Sequence, residues 1–390
     1  MSLCLRVACS PGERRVAVLR DDTLLDYAID RPGAPDGVGD LHRGRIAAVL
    51  PAMAGAFVSL DGDAQGFLPD SEGARGRTQG EAIGVRITRA AQGGKGPRLT
   101  ARLDAADDAL VGSGPPALLR RGPDALARLA ARYPGAGILV DDPAYLAALR
   151  HPPLPATGES VAAPVAPAAF LDRCRLVPRA FDSALEAELE ALGEPDLVLP
   201  SGARLSIHPT PALVAIDVDA GAAVGGRAGK TAQHVALNRD VLPVLAAQIR
   251  LRNLSGAILV DLAGLPAKRR AGFGAALAEA LAADPLHPRL LGFTALGLAE
   301  IVRPRVHPPL HEMLAGPHAA GLAALRRIAS DLNADPRRLP VLRAAPAVMA
   351  ALQQDPVALP DLARRAGRAL MLRSDPSLPA TAWTLEAEHG

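Results

Sequence analysis

The chain has 390 residues, 49% of them hydrophobic, and a formal net charge of +2 at neutral pH. This length exceeds that of one ordinary domain, and this hydrophobic fraction excludes disorder throughout, so we expect about two to four structural units. No run of about 18 apolar residues is present and the N-terminus does not resemble a signal peptide, which predicts a cytoplasmic protein without a membrane partner. Any surface for a polyanion must come from local clusters of basic residues.

The three cysteines do not predict a metal or redox site. Cys4, Cys9 and Cys174 are odd in number, and no Cys-x-x-Cys pair is present. We therefore expect small buried thiols, with neither a disulfide framework nor a cysteine-built zinc site.

Short strands dominate the first hundred residues. Residues 3–30 show a hairpin pattern around Asp21 and Asp22. Between residues 39 and 103, five short alternating segments are separated by glycine, proline and aspartate. Five strands in so short a stretch predict a small closed barrel of the OB type.

The next segments predict a βαβ-like arrangement. A helix around residues 124–132, a buried strand GILVDD and a helix at 143–149 follow one another. Residues 151–169 are rich in proline and alanine, which predicts an exposed linker or long loop. A charged amphipathic helix is then expected at 180–192.

The most regular pattern extends from residue 199 to residue 295. A hairpin turning at 208–211 leads into a strand at 212–219, and further strands are expected at 257–262 and 290–295, with a helix at 267–282 between them. We expect the helix after the first of these strands to begin with Asp240 as its N-cap, which places Pro243 in the first turn. This order predicts a βαβαβ run with parallel neighbouring strands. From residue 316, helices alternate with short strands, as in a small separate α/β domain.

Acidic residues end two of these strands. Alternation places Asp217 and Asp219 on one face of the first strand, and Asp261 follows the apolar run of the next. Ligands of open α/β sheets bind at the carboxyl ends of the strands, where a hard cation such as Mg²⁺ suits clustered carboxylates. The alternative is that each aspartate caps a helix or accepts backbone hydrogen bonds.

The loop after the first acidic strand contains GGRAGKT. A phosphate-binding Walker A loop needs a glycine five residues before Gly229, but this position is Val224, so we do not expect nucleotide hydrolysis. Arg227 and Lys230 instead indicate a basic loop facing a nucleic-acid phosphate.

The predicted barrel carries aromatic and basic residues together. If Ala56, Val58 and Leu60 face its interior, Phe57 points outward. Phe67 and a group of basic residues belong to the same small barrel: His42, Arg43, Arg45 and Lys95. Exposed aromatics beside cations are what binding of single-stranded RNA requires. The alternative is that both rings fill the barrel core.

Several blocks together resemble the ribonuclease E/G family. VGDLHRGRIAAVLPAMAGAFVSLDGDAQGFLP is similar to its inserted OB-fold domain, and LPSGARLSIHPTPALVAIDVDAG, AAQIRLRNLSGAILVDLAGL and GFTALGLAEIVRPR are similar to its catalytic subdomain. The resemblance implies an α/β, or α+β multidomain, chain with a ribonuclease-H-like subdomain, an inserted OB-fold barrel, a βαβαβ nuclease-like catalytic subdomain and a small C-terminal α/β domain. The implied boundaries are 1–37, 38–104, 105–180, 181–314 and 315–390.

The resemblance also implies a Mg²⁺-dependent endoribonuclease that cleaves single-stranded RNA, not DNA, to 5′-phosphate products in RNA processing or decay, with Mn²⁺ as a substitute metal. Asp217 and Asp261 would hold the metal, with Asp219 as a third catalytic acid. Phe57, Phe67 and Lys95 would bind RNA. Arg303 and Arg305 become candidate phosphate contacts.

Departures from the family pattern favour a simplified protein. Asp219 stands where the family's catalytic strand usually has Asn, and residues 315–319 are AGPHA, without the zinc-linking cysteines. The arginine-threonine motif that senses a 5′-monophosphate has no counterpart. We expect no zinc site, and if a homodimer forms it is not linked by zinc. His307, His311 and His318 are not expected to replace the missing cysteines. A non-catalytic RNA-binding or ribosome-associated relative is the alternative function.

Overall fold

A computed structural model describes residues 2–151, 168–221, 230–335, 337 and 339–387. The chain divides into two compact units: unit 1 comprises Met1–Phe181, Val306–Pro308 and Leu314–Gly390, and unit 2 comprises Asp182–Arg305 and Pro309–Met313. Most of the proline- and alanine-rich segment predicted as a linker, residues 152–167, lies outside the described residues. No helix in the described ranges is long and apolar enough to cross a membrane.

The first sheet of unit 1 mixes antiparallel and parallel strands in the order β11-β10-β1-β2-β3. The expected hairpin at Asp21 and Asp22 joins β2 to β3, and β10 and β11 add in parallel on the other side of β1. The predicted βαβ piece is thus confirmed, with α3 as its crossover. The elements are β1 (Leu3–Ser10), β2 (Glu13–Arg20), β3 (Thr23–Asp30), α2 (Ala125–Arg132), β10 (Gly137–Val140), α3 (Pro143–Arg150) and β11 (Cys174–Leu176).

The five strands predicted between residues 39 and 103 form a closed, OB-like barrel. β4 pairs with β5, β5 with β6, β6 with β8, β8 with β7, and β7 again with β4. Ala56, Val58 and Leu68 fill its interior and are fully buried. The elements are β4 (Leu41–Leu50), β5 (Gly55–Ser59), β6 (Gln65–Pro69), β7 (Ala82–Arg89), β8 (Arg98–Thr100), α1 (Ala105–Val111) and β9 (Ala117–Arg120), which pairs with β4 outside the barrel.

The C-terminal residues of unit 1 form helices around a three-stranded sheet in the order β19-β18-β20. Their own core includes Leu325, Leu342 and Val348. Arg326 pairs with buried Glu13 of β2 at 2.5 Å, which ties this region to the first sheet. The elements are α9 (Gly316–Ala334), β18 (Val341–Ala344), α10 (Pro346–Gln354), α11 (Ala358–Ala366), β19 (Leu372–Ser374) and β20 (Trp383–Glu386).

Unit 2 contains one six-stranded sheet in the order β12-β13-β14-β15-β17-β16. Its core lies between the sheet and the helices, with Ile216, Leu245 and Ile258 nearly or fully buried. The elements are α4 (Ser183–Ala191), β12 (Asp196–Val198), β13 (Arg204–Pro209), β14 (Val214–Asp219), α5 (Lys230–Leu251), β15 (Gly256–Asp261), α6 (Ala267–Arg270), α7 (Gly274–Leu281), β16 (Arg289–Phe293), β17 (Ala299–Arg303) and α8 (Leu310–Met313).

Two predictions for unit 2 were wrong. Only β14 and β15 are parallel neighbours, because antiparallel β17 lies between β15 and β16. The helix expected to begin at Asp240 starts ten residues earlier, so Pro243 is inside α5. An interior proline costs about 3 kcal/mol, but Leu242, Leu245 and Ile249 bury their side chains against the sheet and hold the helix together.

Candidate active site and RNA-binding surface

Asp217 and Asp261 face each other across the only parallel strand pair described in unit 2. They are register partners at the carboxyl ends of β14 and β15. Val218 and Val260 turn into the core, which leaves Asp217 exposed and Asp261 partly exposed. Strands lie about 4.8 Å apart, so two carboxylates on one face at matched positions are close neighbours.

The pKa of Asp217 reports the crowding of this site. It is raised above the usual aspartate value, first by loss of hydration and next by the negative charges of Asp261 and Asp219. A divalent cation between Asp217 and Asp261 would remove this repulsion, and carboxylate oxygens are the ligands that Mg²⁺ prefers. The donor set therefore fits a hard cation.

Two arginines that the sequence analysis did not single out contact the acids. Arg270 of α6 donates from Nη1 to Asp261 and from Nε to the carbonyl oxygen of Leu265 at 2.6 Å. Arg204 of β13 donates to Asp219 at 3.1 Å. The basic run Lys268–Arg270, which follows the strand that ends in Asp261, could have predicted the contact between Arg270 and Asp261. The second contact depends on the register of β13 against β14, which only the folded sheet defines.

Asp219 does not form a three-acid cluster with the other two. Besides Arg204, it accepts a hydrogen bond from the backbone N–H of Gly221 at 3.0 Å, and both interactions lower its pKa. The alternative of local backbone capping therefore describes Asp219. In the described ranges, no three His, Cys, Asp or Glu side chains are grouped as a metal site, so the candidate cation ligands are a pair.

Asn238 and His234 of α5 support the segment that follows Asp261. Asn238 is fully buried: it donates to the carbonyl oxygens of His234 and Ala263 and accepts from the Ala263 N–H, all within 3.0 Å. The His234 ring packs against Gly264, where a Cβ would approach a ring carbon to 2.3 Å. Sequence reasoning missed both residues. Asn238 alone offered a signal, because an asparagine in an apolar helix stripe needs hydrogen-bond partners.

The basic loop predicted to contact phosphate falls largely outside the described residues. Arg227 lies in the undescribed segment 222–229, and only the backbone of Lys230, the first residue of α5, is described.

Phe57 and Phe67 form an aromatic pair on the outside of the barrel. They are register partners on β5 and β6, with ring centroids 5.8 Å apart and planes at 71°. Both are partly exposed, whereas Val58 and Leu68 fill the interior. The prediction that these rings point outward is confirmed, and the alternative that they fill the core was wrong.

Lys95 lies in a glycine-rich turn held close to β6, the strand that carries Phe67. Backbone hydrogen bonds of 3.1 Å join Gln92 and Lys95 in both directions, and Gly93 and Gly94 have positive φ. A Cβ on Gly96 would come within 2.8 Å of the Gln65 carbonyl oxygen, so this glycine lets the turn approach β6. Lys95 is exposed at its tip.

The other predicted barrel cations have structural contacts. Arg43 donates to the carbonyl oxygens of Val111 at 2.7 Å and Pro115 at 3.2 Å. Arg45 donates to the carbonyl oxygen of Gly80 at 2.8 Å, although it remains exposed. Both guanidinium groups are thus partly committed to holding loops of the barrel.

Arg303 was wrongly predicted as a phosphate contact. It is only 3% exposed and pairs with Asp284, itself 2% exposed, at 2.7 Å. It also donates to Asn253 Oδ1 and to the Leu254 carbonyl oxygen. Arg305, two residues later, is exposed and remains a candidate.

Three histidines lie near residues 315–319, where the sequence lacks the zinc-linking cysteines, and they have different surroundings. In unit 1, His307 lies 2.6 Å from an Asp36 carboxylate oxygen and His318 lies 2.8 Å from one of Asp355. His311 belongs to α8 of unit 2, where burial lowers its pKa.

Comparison with known proteins identifies the family. The model of the ribonuclease E/G family matches residues 173–306, which contain the acidic strand pair. The chain is 26% identical to ribonuclease G of Escherichia coli strain K12 over 80% of this chain and 82% of that protein. It is also 26% identical to ribonuclease E of the same strain, over 78% of this chain and 37% of that protein. Ribonuclease E of Nostoc sp. is 33% identical over 39% of this chain and 22% of that protein. The chain belongs to the ribonuclease E/G family.

Proposed function

We propose that this protein is a metal-dependent endoribonuclease that cleaves single-stranded RNA to 5′-phosphate products. The observation that carries the proposal is the pairing of Asp217 with Asp261 on adjacent parallel strands, both accessible at the carboxyl end. Membership of the ribonuclease E/G family supports it.

Asp217 and Asp261 would hold Mg²⁺, or Mn²⁺ in its place. The bound cation would supply an activated water and stabilise charge on the scissile phosphate. Arg270 would pair with one oxygen of Asp261 and compete with the cation for that carboxylate, leaving its other oxygen for the cation. Asp219, held by Arg204, would add negative charge near the site without being a ligand.

Phe57, Phe67 and Lys95 would bind the RNA. Unpaired bases stack on exposed aromatic rings and phosphates pair with cations, so these residues select single strands without reading sequence. Arg227, Lys230 and Arg305 are proposed as phosphate contacts. No such role is proposed for Arg303, because its charge is satisfied in the core.

We also propose that the first sheet of unit 1 is the ribonuclease-H-like subdomain and that the family's domain boundaries apply. The strand order β11-β10-β1-β2-β3, with three antiparallel strands followed by two parallel ones, supports this assignment.

The second candidate is a non-catalytic RNA-binding relative. The contacts of Arg270 with Asp261 and Arg204 with Asp219 favour it, because they satisfy carboxylates that a metal would otherwise use. In such a protein the barrel would still bind RNA.

Turnover separates the two candidates. A fluorescently labelled AU-rich single-stranded RNA is incubated with wild-type protein in Mg²⁺, in Mn²⁺ and in EDTA. We expect cleavage with either metal, none in EDTA, and none with Asp217→Asn or Asp261→Asn. Asp240→Asn, an exposed acid of the same unit, is the matched control and should cleave normally. Wild-type protein that binds this RNA and never cuts it would establish the second candidate.

A further inference from the structure

The outward face of the barrel carries one continuous row of side chains across four strands. Register pairs join Ala48 of β4 to Phe57 of β5, Phe57 to Phe67 of β6, and Phe67 to Arg98 of β8. Residues paired in register share a face of a sheet, so the row runs from a small residue through two rings to a guanidinium.

Arg98 is the exposed cation at the end of this row. Its neighbour Leu99 is fully buried in the barrel, so Arg98 itself points outward. Within the described part of the chain, the Arg98 guanidinium has no hydrogen bond or ion pair, in contrast to Arg43 and Arg45. Its charge is therefore available to a ligand.

The position of Arg98 is fixed by the strand that carries Phe67. The Phe67 N–H donates to the Pro97 carbonyl oxygen at 2.8 Å, directly before Arg98. Two strand-to-strand steps of about 4.8 Å place the backbone of Phe57 about 10 Å from that of Arg98. Lys95, three residues earlier, is exposed in the turn that precedes β8.

The rings cannot both stack on one base. Their planes lie at 71°, so they present their faces in different directions. Arg98 lies one strand spacing of about 4.8 Å from Phe67 at the backbone, so its long side chain can reach the phosphate of a nucleotide whose base stacks on Phe67. Aromatic faces followed by an unpaired cation fit a single RNA strand that crosses the barrel at right angles to the β-strands.

We propose that Arg98 is a further RNA-contacting residue, which pairs with the phosphate next to the base held by Phe67. This inference rests on the proposed RNA-binding function and adds to it the path of the RNA over the barrel. Arg98 acts on affinity and on its salt dependence, without preference among base sequences.

The test measures binding without cleavage. A labelled single-stranded oligoribonucleotide is titrated with full-length protein in EDTA at several salt concentrations, and fluorescence anisotropy gives Kd. Arg98→Gln should weaken binding and reduce the slope of log K against log salt by about 0.7, as for one lost phosphate contact on a single strand. Arg98→Lys should keep the wild-type slope. Arg20→Gln, an exposed arginine on the first sheet, removes the same charge and should change neither quantity.

The outcomes separate this inference from the enzyme proposal. A wild-type slope in Arg98→Gln, or equal losses in Arg98→Gln and Arg20→Gln, would overturn the role of Arg98 while leaving cleavage to be judged by its own assay. Wild-type protein that binds no single-stranded RNA would overturn it too. Melting temperatures of all variants, including Arg98→Met as a second uncharged form, keep a folding defect from being mistaken for lost contact.

Discussion

The repulsion between Asp217 and Asp261 should make the metal-free protein less stable than a variant without it. The raised pKa of Asp217 means that the folded state disfavours its charged form, with loss of hydration as the first cause and Asp261 as the second. Folding then weakens as pH rises above the ordinary aspartate pKa of about 4 and through the raised value. At pH 7.5 we expect Asp217→Asn to be more stable than wild type in EDTA.

The size of this effect follows from the strand geometry. Two unit charges about 5 Å apart repel by about 1 kcal/mol in water and about 3 kcal/mol near a partly screened protein surface. Asp217 is exposed and Arg270 offsets the charge of Asp261, so the lower figure applies. About 1 kcal/mol corresponds to a rise in Tm of about 2 to 4 °C.

The assay is thermal unfolding of wild type and Asp217→Asn between pH 3.5 and 8, with and without Mg²⁺. The difference in EDTA should shrink as pH falls toward the ordinary aspartate pKa of about 4, because Asp217 is then increasingly protonated in the unfolded state as well as in the folded state. Mg²⁺ at 100 times its Kd should stabilise wild type by about 2.7 kcal/mol, and Asp217→Asn by much less. The control Asp240→Asn should follow wild type throughout.

A loss of stability in metal-free Asp217→Asn at pH 7.5 would refute the repulsion. A Mg²⁺ response equal in wild type and Asp217→Asn would refute a cation site at these strands, whatever the cleavage assay shows.

Three further variants test the other assignments. Phe57→Ala should weaken binding of single-stranded RNA by about 1 to 3 kcal/mol, measured by anisotropy, because one stacking face is lost while the barrel core is intact. Arg303→Gln should destabilise unit 2 by about 3 to 5 kcal/mol in denaturant unfolding, because it leaves the Asp284 charge buried and unpaired. Arg270→Gln should tighten Mg²⁺ binding, measured by calorimetry, because Asp261 loses a competing cation.

Each of these has an outcome that contradicts it. A large fall in Tm for Phe57→Ala would mean that the ring supports the core. Normal stability with weakened RNA binding in Arg303→Gln would mean that Arg303 contacts phosphate, as first predicted. If the buried Asp284 charge is instead the cause of the instability, adding Asp284→Asn to Arg303→Gln should recover part of the lost stability. Weaker Mg²⁺ binding in Arg270→Gln would mean that Arg270 orients Asp261 for the metal and does not compete with it.

Local patterns allowed much of this fold to be predicted. Alternation identified Val58 as interior and Phe57 as exterior, because successive side chains of a strand point to opposite faces. The same rule placed acids at the ends of β14 and β15. The helix predicted to start at Asp240 shows the limit of such rules, because α5 in fact starts at Lys230. Burial of α5 against the sheet outweighs the local cost of Pro243.

The sequence by itself determined which residues are candidates for metal and RNA binding: the acidic strand ends, the outward aromatics and the glycine-rich turn of Lys95. Only the tertiary structure decided how they are used. The register of β14 against β15 pairs Asp217 with Asp261, and the register of β13 against β14 places Arg204 beside Asp219. Packing of the core buries Arg303 away from solvent. The physical reason is that side-chain type is local, whereas register and burial depend on partners distant in the chain.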